Sequence, residues 1–257
     1  MSTRKKICIG LLALAAWLCL LGICWYFISG WMNRQGITEL AGIVNQAENT
    51  MADSDGRALA QAYEGLRQRN PDFGGWLAIQ DTRVDYPVMH TPSEPEKYLR
   101  KNFDGQYSMM GLPFLHADCD WDASANLVVY GHNMQTGDMF ADLMNYLDEE
   151  YGRAHPLIQL DTPGDRRVYR VMAVVPFEIT AENEHDYYQC MDESDQERFS
   201  TYVTFLKQRS AYDTGVTASW GDQLLTLSTC SEYAAGPGRL LVIGRLESRT
   251  PYGEEDG

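Results

Sequence analysis

The sequence predicts a mostly β domain, a closed barrel with added helices, placed behind an apolar N-terminal helix. From residue 73 onward, short apolar runs alternate with turn residues, which is typical of a strand-rich domain that closes on itself. Ahead of these runs, and at two places between them, apolar residues recur at helical spacing instead. The chain is 44% hydrophobic and 11% aromatic, which is enough to build a core.

The N-terminus carries the apolar segment. Basic residues at positions 4–6 precede residues 7–28, a run without a charge that is long enough to cross a bilayer as a helix. A cleaved secretory signal is the alternative, but its apolar region is normally shorter, and no A-x-A-like site follows the run before Trp31. We therefore expect an uncleaved anchor. Because basic flanks stay in the cytoplasm, residues 1–6 should be cytoplasmic and the chain after the anchor extracytoplasmic.

Residues 29–72 are predicted to form an extracytoplasmic linker and two helices. Apolar positions recur at helical spacing in residues 37–44 and again in residues 59–66, with the turn sequence "DSDG" between the two groups. The following "NPDFGGWLAI" turns directly into a strand. We therefore expect both helices to pack against the barrel rather than to form a stalk.

The barrel is predicted over residues 73–248, and a short acidic tail follows at residues 249–257. The predicted strands are the runs "GWLAI", "VDYPVMH", "LPFLHA", "NLVVYGH", "LIQLD", "VYRVMAVVPFEI", "QLLTLSTC" and "RLLVIGRL". A helical stretch, "DMFADLMNYL", follows the fourth run. A longer helix, around "SDQERFSTYVTFLKQR", opens with a capping box of Ser194 and Glu197.

The charge balance excludes one class of partner. A formal net charge of −15, from 36 acidic and 21 basic side chains, repels phosphate backbones. No long basic run occurs outside the N-terminus, so we do not expect nucleic-acid binding.

The outer domain contains three cysteines, Cys119, Cys190 and Cys230. Pairing of Cys119 with Cys190 would leave Cys230 as the free thiol. No CxxC pair is present, so we expect no structural zinc site. The "HADCD" stretch, residues 116–120, has metal-ligand residue types, but a polar loop is the simpler interpretation.

Three residues at strand boundaries point to nucleophilic chemistry. Cys230 ends the run "LLTLSTC", His132 lies within "VVYGHNM", where a strand ends among turn-forming neighbours, and Arg239 lies at the start of "GRLLVIGRL". A thiol is only a small fraction thiolate at neutral pH, so a nearby cation raises its reactive population. His132 and Arg239 are the candidates for that environment.

The combination resembles the class B sortases, membrane-anchored cysteine transpeptidases of Gram-positive bacteria. "TLSTC" with Arg239 downstream and "YGHNM" upstream carry the resemblance, and "NPDFGGWLAI", "VDYPVM" and "YLRKNFDG" extend it over nearly all of the outer domain. The resemblance implies an eight-stranded sortase β-barrel with N-terminal helices and a long helix between the sixth and seventh strands.

The resemblance also implies a reaction. Cys230 would attack the carbonyl of a threonine in a C-terminal sorting signal of x-P-x-T-G or x-P-x-T-N type, and His132 would protonate the leaving amine. Arg239 would stabilise the oxyanion or hold the substrate backbone. The resulting thioester would pass to an amine of a cell-wall precursor or pilin, with no cofactor or metal. The expected partners are surface proteins, at the cell membrane.

Substrate-binding residues are carried over from the same resemblance. Ser228, Thr229 and Tyr130 match positions that line the class B substrate groove. Glu232 is less secure, because Ser231 directly follows the cysteine where some relatives place an acid.

Three other functions compete with this interpretation. In papain-like proteases the cysteine opens a helix near the N-terminus and the histidine follows it, whereas His132 here precedes Cys230. A membrane-anchored relative that only binds its partner would have no need of an intact cysteine, histidine and arginine together. A cysteine protease that only hydrolyses is the third candidate.

Overall fold

One long N-terminal helix leads into an eight-stranded barrel in the computed structural model, which describes residues 3–50, 56–180, 191, 196–230 and 238–253. The helices are α1 (Thr3–Thr50), α2 (Arg57–Arg69), α3 (Glu149–Ala154) and α4 (Gln196–Arg209), with short 3-10 helices at Lys97–Arg100 and Ala141–Leu147. The strands are β1 (Phe73–Ala78), β2 (Asp85–Met89), β3 (Phe114–Leu115), β4 (Asn126–Tyr130), β5 (Leu157–Asp161), β6 (Asp165–Glu178), β7 (Leu224–Cys230) and β8 (Gly238–Pro251).

The strands close into a barrel in the order β1-β2-β3-β4-β7-β8-β6-β5, with β5 pairing back to β1. Each predicted apolar run overlaps one strand, and α4 lies between β6 and β7. The predicted eight-stranded barrel with N-terminal helices and an inserted helix is therefore confirmed. Most neighbours are antiparallel, but β4 and β7 run parallel, so that their carboxyl ends meet at one edge of the barrel.

Strand β7 is buried on both of its faces. Leu225 and Leu227 belong to the main core, whereas Leu224 packs in a second apolar cluster with Phe199 and Leu206 of α4. Burial of one such side chain contributes about 1.5 to 3 kcal/mol. Because both faces are covered, apolar residues of β7 face in both directions, and its carboxyl end is held in place.

The N-terminal helices pack on the barrel as predicted. Leu40 and Val44 of α1 are buried, and Tyr63 of α2 is fully buried with its hydroxyl donating to Asp161 Oδ2 at 2.9 Å. The predicted anchor and first helix form one unbroken helix. No proline lies within α1, and isolated glycines such as Gly30 lower helix stability by only about 1 kcal/mol each.

The last strand continues through Pro251, beyond the predicted barrel boundary at residue 248. Arg249 holds this extension by ion pairs to Asp122, at 2.6 Å, and to Asp165. The predicted capping residue Ser194 lies outside the described residues, as does Cys190, while Glu197 occupies the first turn of α4.

Candidate active site

The strand register brings the three predicted catalytic positions to one edge of the barrel. Tyr130 of β4 pairs with Ser228 of β7, and Gly131 N donates to Ser228 O at 3.1 Å. Because the two strands run parallel, the residues two positions after this pair, His132 and Cys230, lie at the same edge of the barrel. On the other side of β7, Cys230 pairs with Arg239 of β8.

Cys230 ends β7 as a free, half-buried cysteine. Its carbonyl oxygen accepts a hydrogen bond from Asn133 Nδ2 at 3.1 Å, which ties the end of β7 to the residue after His132. Residues Ser231 and Glu232, which follow it in the sequence, lie outside the described residues.

His132 is oriented by a backbone carbonyl. Its Nε2 lies 2.9 Å from Leu99 O, in the 3-10 helix Lys97–Arg100. A carbonyl only accepts, so Nε2 carries the proton and Nδ1 is the nitrogen left to exchange a proton with the thiol or the substrate. The backbone is fixed as well, because Phe140 N donates to His132 O at 2.9 Å.

Burial lowers the pKa of His132, and the nearby charge of Arg100 lowers it further, while the contact with Leu99 O acts in the opposite direction. The neutral imidazole is therefore the dominant form at neutral pH. Such a ring can take a proton from an incoming amine, and its protonated form, present in a smaller fraction, can deliver one to a leaving group.

Arg239 begins β8 between two strands. It pairs with Cys230 of β7 on one side and with Phe177 of β6 on the other, and its Nη1 donates to Gly238 O at 2.9 Å. The guanidinium stays charged and offers donors in a fixed fork, which suits a developing oxyanion or a peptide carbonyl.

The predicted substrate-binding residues lie on the strands that lead to this edge. Ser228 and Thr229 are each only 2% exposed, and within the described part of the chain neither hydroxyl has a hydrogen-bond partner. Tyr130 is half-buried, with its ring 5.5 Å from that of Phe114 and 5.9 Å from that of His116. Their role in substrate binding stays a prediction.

Sequence reasoning missed Asn133 and the Leu99 carbonyl. The signal that could have singled out Asn133 is its place directly after His132 in "YGHNM", since an amide side chain at a strand end can bond to a neighbouring backbone. Leu99 contributes only a backbone oxygen, for which a side-chain pattern carries no signal.

The "HADCD" stretch, residues 116–120, forms a polar turn directly after β3, at the end of that strand away from the catalytic edge. Asp118 N donates to His116 Nδ1 at 3.2 Å, and the Asp120 carboxylate accepts from the backbone amides of Asp122 and Ala123. Across the described ranges, no group of three or more metal-binding side chains is gathered there or elsewhere. Cys119 is buried and disulfide-bonded, and Cys190, whose pairing with it the sequence leaves open, lies outside those ranges.

Comparison with known proteins agrees with the fold and identifies the family. Residues 77–247 match the sortase domain family. The chain is 33% identical to sortase B of Listeria monocytogenes serovar 1/2a over 187 residues, which covers 72% of this chain and 73% of that protein. It is 25% identical to sortase B of Staphylococcus aureus over 195 residues, which covers 72% and 74% of the two chains.

Solved structures show the same architecture. The Bacillus anthracis sortase B complex with AAEK1 superposes with a TM-score of 0.70 at 27% identity, over 86% of this chain and 98% of that chain. The Staphylococcus aureus sortase B–substrate complex gives a TM-score of 0.75 at 20% identity, over 85% and 98%, which supports the fold.

The chain therefore belongs to the sortase family, the transpeptidases that act through a cysteine on sorting signals. Its sortase B relatives, in sequence and in structure, place it in class B of that family.

Proposed function

We propose that the protein cleaves a C-terminal sorting signal after a threonine, through a thioester on Cys230, and transfers the shortened protein to a cell-wall amine or a pilin. The observation that supports this proposal is the strand register, in which the ends of β4 and β7 and the start of β8 bring His132, Cys230 and Arg239 to one edge. A binding protein has no use for that arrangement.

In the first half-reaction, Cys230 gives its thiol proton to Nδ1 of His132, and the resulting thiolate attacks the threonine carbonyl so that a carbon–sulfur bond forms. The negative charge on the carbonyl oxygen is stabilised by the Arg239 guanidinium. Protonated His132 then gives its proton to the leaving amine, the peptide bond breaks, and the thioester remains on the enzyme.

In the second half-reaction, an amine attacks the thioester carbonyl. His132, now neutral, takes the proton from that amine, and the thiolate of Cys230 leaves as the new amide bond forms. Water can replace the amine as a slow nucleophile, which would give hydrolysis. Every proton and electron pair is accounted for by the two substrates and these side chains, without a cofactor.

We place the enzyme in the cell membrane. The described chain has one helix that is long and apolar enough to cross a bilayer, although a signal sequence passes the same test of length and composition. Residues 7–28 would form the anchor, residues 1–6 would be cytoplasmic, and the catalytic domain would lie outside. A C-terminal tag at Gly257 should be reached by protease added to wall-stripped intact cells. Access only after lysis would reverse this topology.

The reaction is tested with the full-length chain in lipid nanodiscs. Peptides of x-P-x-T-G and x-P-x-T-N type are supplied with an excess of a glycine-type or diaminopimelate-type amine, and products are identified by mass spectrometry. The expected product is the N-terminal fragment joined to the amine. Cys230→Ala should abolish thioester formation, whereas Cys24→Ala, at another free cysteine in the anchor, should not.

The alternatives give different products. Free acid without any amine adduct would mean that the protein is a cysteine protease. No cleavage across the panel, with Cys230 still open to alkylation, would mean a relative that only binds. A preference for asparagine or glycine after the threonine would then indicate which class of surface protein is the substrate.

A further inference from the structure

A loop of the catalytic domain reaches back along the anchor helix. Residues 102–112, here called the tip loop, and α1 together enclose a cavity of about 360 Å³. Trp25 and Ile28 line it from the helix, and Gln106 and Tyr107 line it from the loop. The tip loop therefore lies at the level of residues that belong to the predicted membrane span.

The domain is fixed to α1 at this level. Arg34 donates to the Asp138 carboxylate through Nε at 3.1 Å and Nη2 at 2.7 Å, and Arg69 bridges Glu39 of α1 to Asp104 of the tip loop at 2.9 and 3.0 Å. Arg34 comes only six residues after Ile28, which is about 9 Å along a helix. The loop therefore keeps its depth relative to the anchor.

The end of the tip loop presents apolar side chains to the outside. Tyr107 is 71% exposed and Met109 is 42% exposed, whereas most large apolar side chains of the described domain are buried. Trp31 and Met32 of α1, which follow the predicted span, are also exposed. Tyrosine and tryptophan favour the boundary between lipid headgroups and acyl chains. Arg100, which donates to Met109 O at 2.7 Å, adds a cation of the kind that pairs with lipid phosphate.

We propose that the tip loop enters the outer interface of the lipid bilayer, with Tyr107 and Met109 among the headgroups beside Trp25 and Trp31. The inference rests on the membrane anchor of the proposed function. Depth, exposure and residue type all fit a lipid surface, and Tyr107 lines the same cavity as Trp25 and Ile28 of the predicted span.

The proposed contact has a consequence for the active site. The tip loop begins directly after the 3-10 helix Lys97–Arg100, whose Leu99 carbonyl accepts from His132. Asp138, the partner of Arg34, lies in the hairpin that follows His132. Lipid contact would therefore hold the histidine side of the catalytic edge next to the membrane, where a lipid-borne amine or a membrane-tethered substrate is presented.

The test is photocrosslinking in the full-length protein, reconstituted in phosphatidylglycerol-containing vesicles. A benzophenone amino acid is placed at Tyr107, at Trp17 inside the span, or at Gly164. Gly164 is exposed, has room for a side chain, and lies close to Arg166, which pairs with Glu48. Glu48 is about 30 Å along the helix from Ile28. Lipid adducts, read by intact mass, are expected at Trp17 and Tyr107 but not at Gly164.

Each outcome supports or overturns the proposed contact between the tip loop and lipid. A lipid adduct at Trp17 with none at Tyr107 above the Gly164 level would overturn the tip-loop contact and leave the anchor intact. No adduct at Trp17 would overturn the anchor and this inference together. A protein–protein adduct at Tyr107 would instead assign the loop to a second copy of the chain.

A second experiment separates the effect of Tyr107 from any effect of placing the bulky benzophenone at that position. With the benzophenone at Met109, Tyr107→Asp should lower the lipid adduct several-fold, because a carboxylate is expelled from the interface. Leu147→Asp, which charges another exposed leucine of the domain, should leave the adduct unchanged. Equal labelling in both variants would mean that Tyr107 does not contact lipid.

Discussion

At the scale of single residues, Arg239 contributes a shape as well as a charge. Its guanidinium fork can donate two parallel bonds, which an ammonium cannot reproduce. We expect Arg239→Lys to lower kcat about 100-fold, the effect of losing one oxyanion donor. The measurement is transfer of a sorting peptide to an amine under saturating conditions.

Arg245 provides the matched control, since it also lies on β8 and its Nη1 donates to Thr217 O at 3.4 Å, away from Cys230. Arg245→Lys should keep nearly full activity. If Arg239→Lys is as active as the unaltered protein, Arg239 acts as a distant charge and its assigned role is wrong.

Asn133 joins the two halves of the site. Asn133→Ala would leave the Cys230 carbonyl without this donor, and we expect a loss of about 1 to 3 kcal/mol in the free energy of unfolding. The thioester should also form more slowly, because the end of β7 is no longer tied to the His132 hairpin. Chemical denaturation and rapid-quench mass spectrometry measure the two effects.

Gln135, exposed in the same hairpin, is the comparison residue. Gln135→Ala should change stability by less than about 0.5 kcal/mol. Equal effects of the two substitutions would show that the Asn133 bond does not hold the strand end.

At the scale of elements, the junction between β4 and the His132 hairpin has no room for a side chain. A Cβ at Gly131 would lie 2.5 Å from Phe140 Cδ2 and 2.6 Å from its Cγ, and Phe140 is fully buried. Gly131→Ala should therefore destabilise the fold by about 1 to 3 kcal/mol and displace His132. Thermal unfolding and the rate of transfer would both report the change.

The same substitution in α2 should have the opposite sign. Gly65 lies on an exposed helix face with no atom within 4 Å of a new Cβ, so Gly65→Ala should stabilise the protein by about 1 kcal/mol. A stable and active Gly131→Ala protein would show that Phe140 moves aside without cost.

Local sequence patterns predict the helices and strands better than they predict the contacts between them. The apolar run "LIQLD" coincides with β5, because the residues of one strand are consecutive and their pattern of hydrophobicity is visible in the sequence. The parallel pairing of β4 with β7 joins segments that are far apart in the sequence, so no local pattern encodes it. Cys230, His132 and Arg239 are predicted from motif chemistry, and the strand register brings them to one edge. Leu99 was missed because its backbone oxygen, rather than its side chain, contacts the histidine.

At the scale of the whole molecule, three histidines link stability to pH in the same direction. Burial is the main cause that lowers the pKa of His90, His116 and His132. Below the ordinary histidine pKa of about 6.5, the unfolded chain therefore binds more protons than the folded one. The stability that the three neutral histidines contribute is fully present above a pH of about 6.5. It is lost as the pH falls towards their lowered pKa values in the folded protein.

We expect the melting temperature to fall as the pH is lowered from about 7 to 5, when measured by differential scanning calorimetry at fixed ionic strength. His90→Gln should make this dependence less steep, because one of the three groups no longer titrates. Burial raises the pKa of Asp85, which acts in the opposite sense at lower pH. A melting temperature that stays constant or rises on acidification to pH 5 would contradict the prediction.

The unbroken course of α1 has a consequence for how the enzyme meets its substrates. A flexible tether would let a catalytic domain sample a volume of the wall, but a continuous helix clamped to the barrel by Arg34 and Arg69 would, with the proposed anchor in the membrane, hold the active site at one height above the bilayer. Encounters would then depend on lateral diffusion within a plane. The relevant concentration of sorting signal would be its number per unit area of membrane, so crowding of the leaflet would set the pace of anchoring.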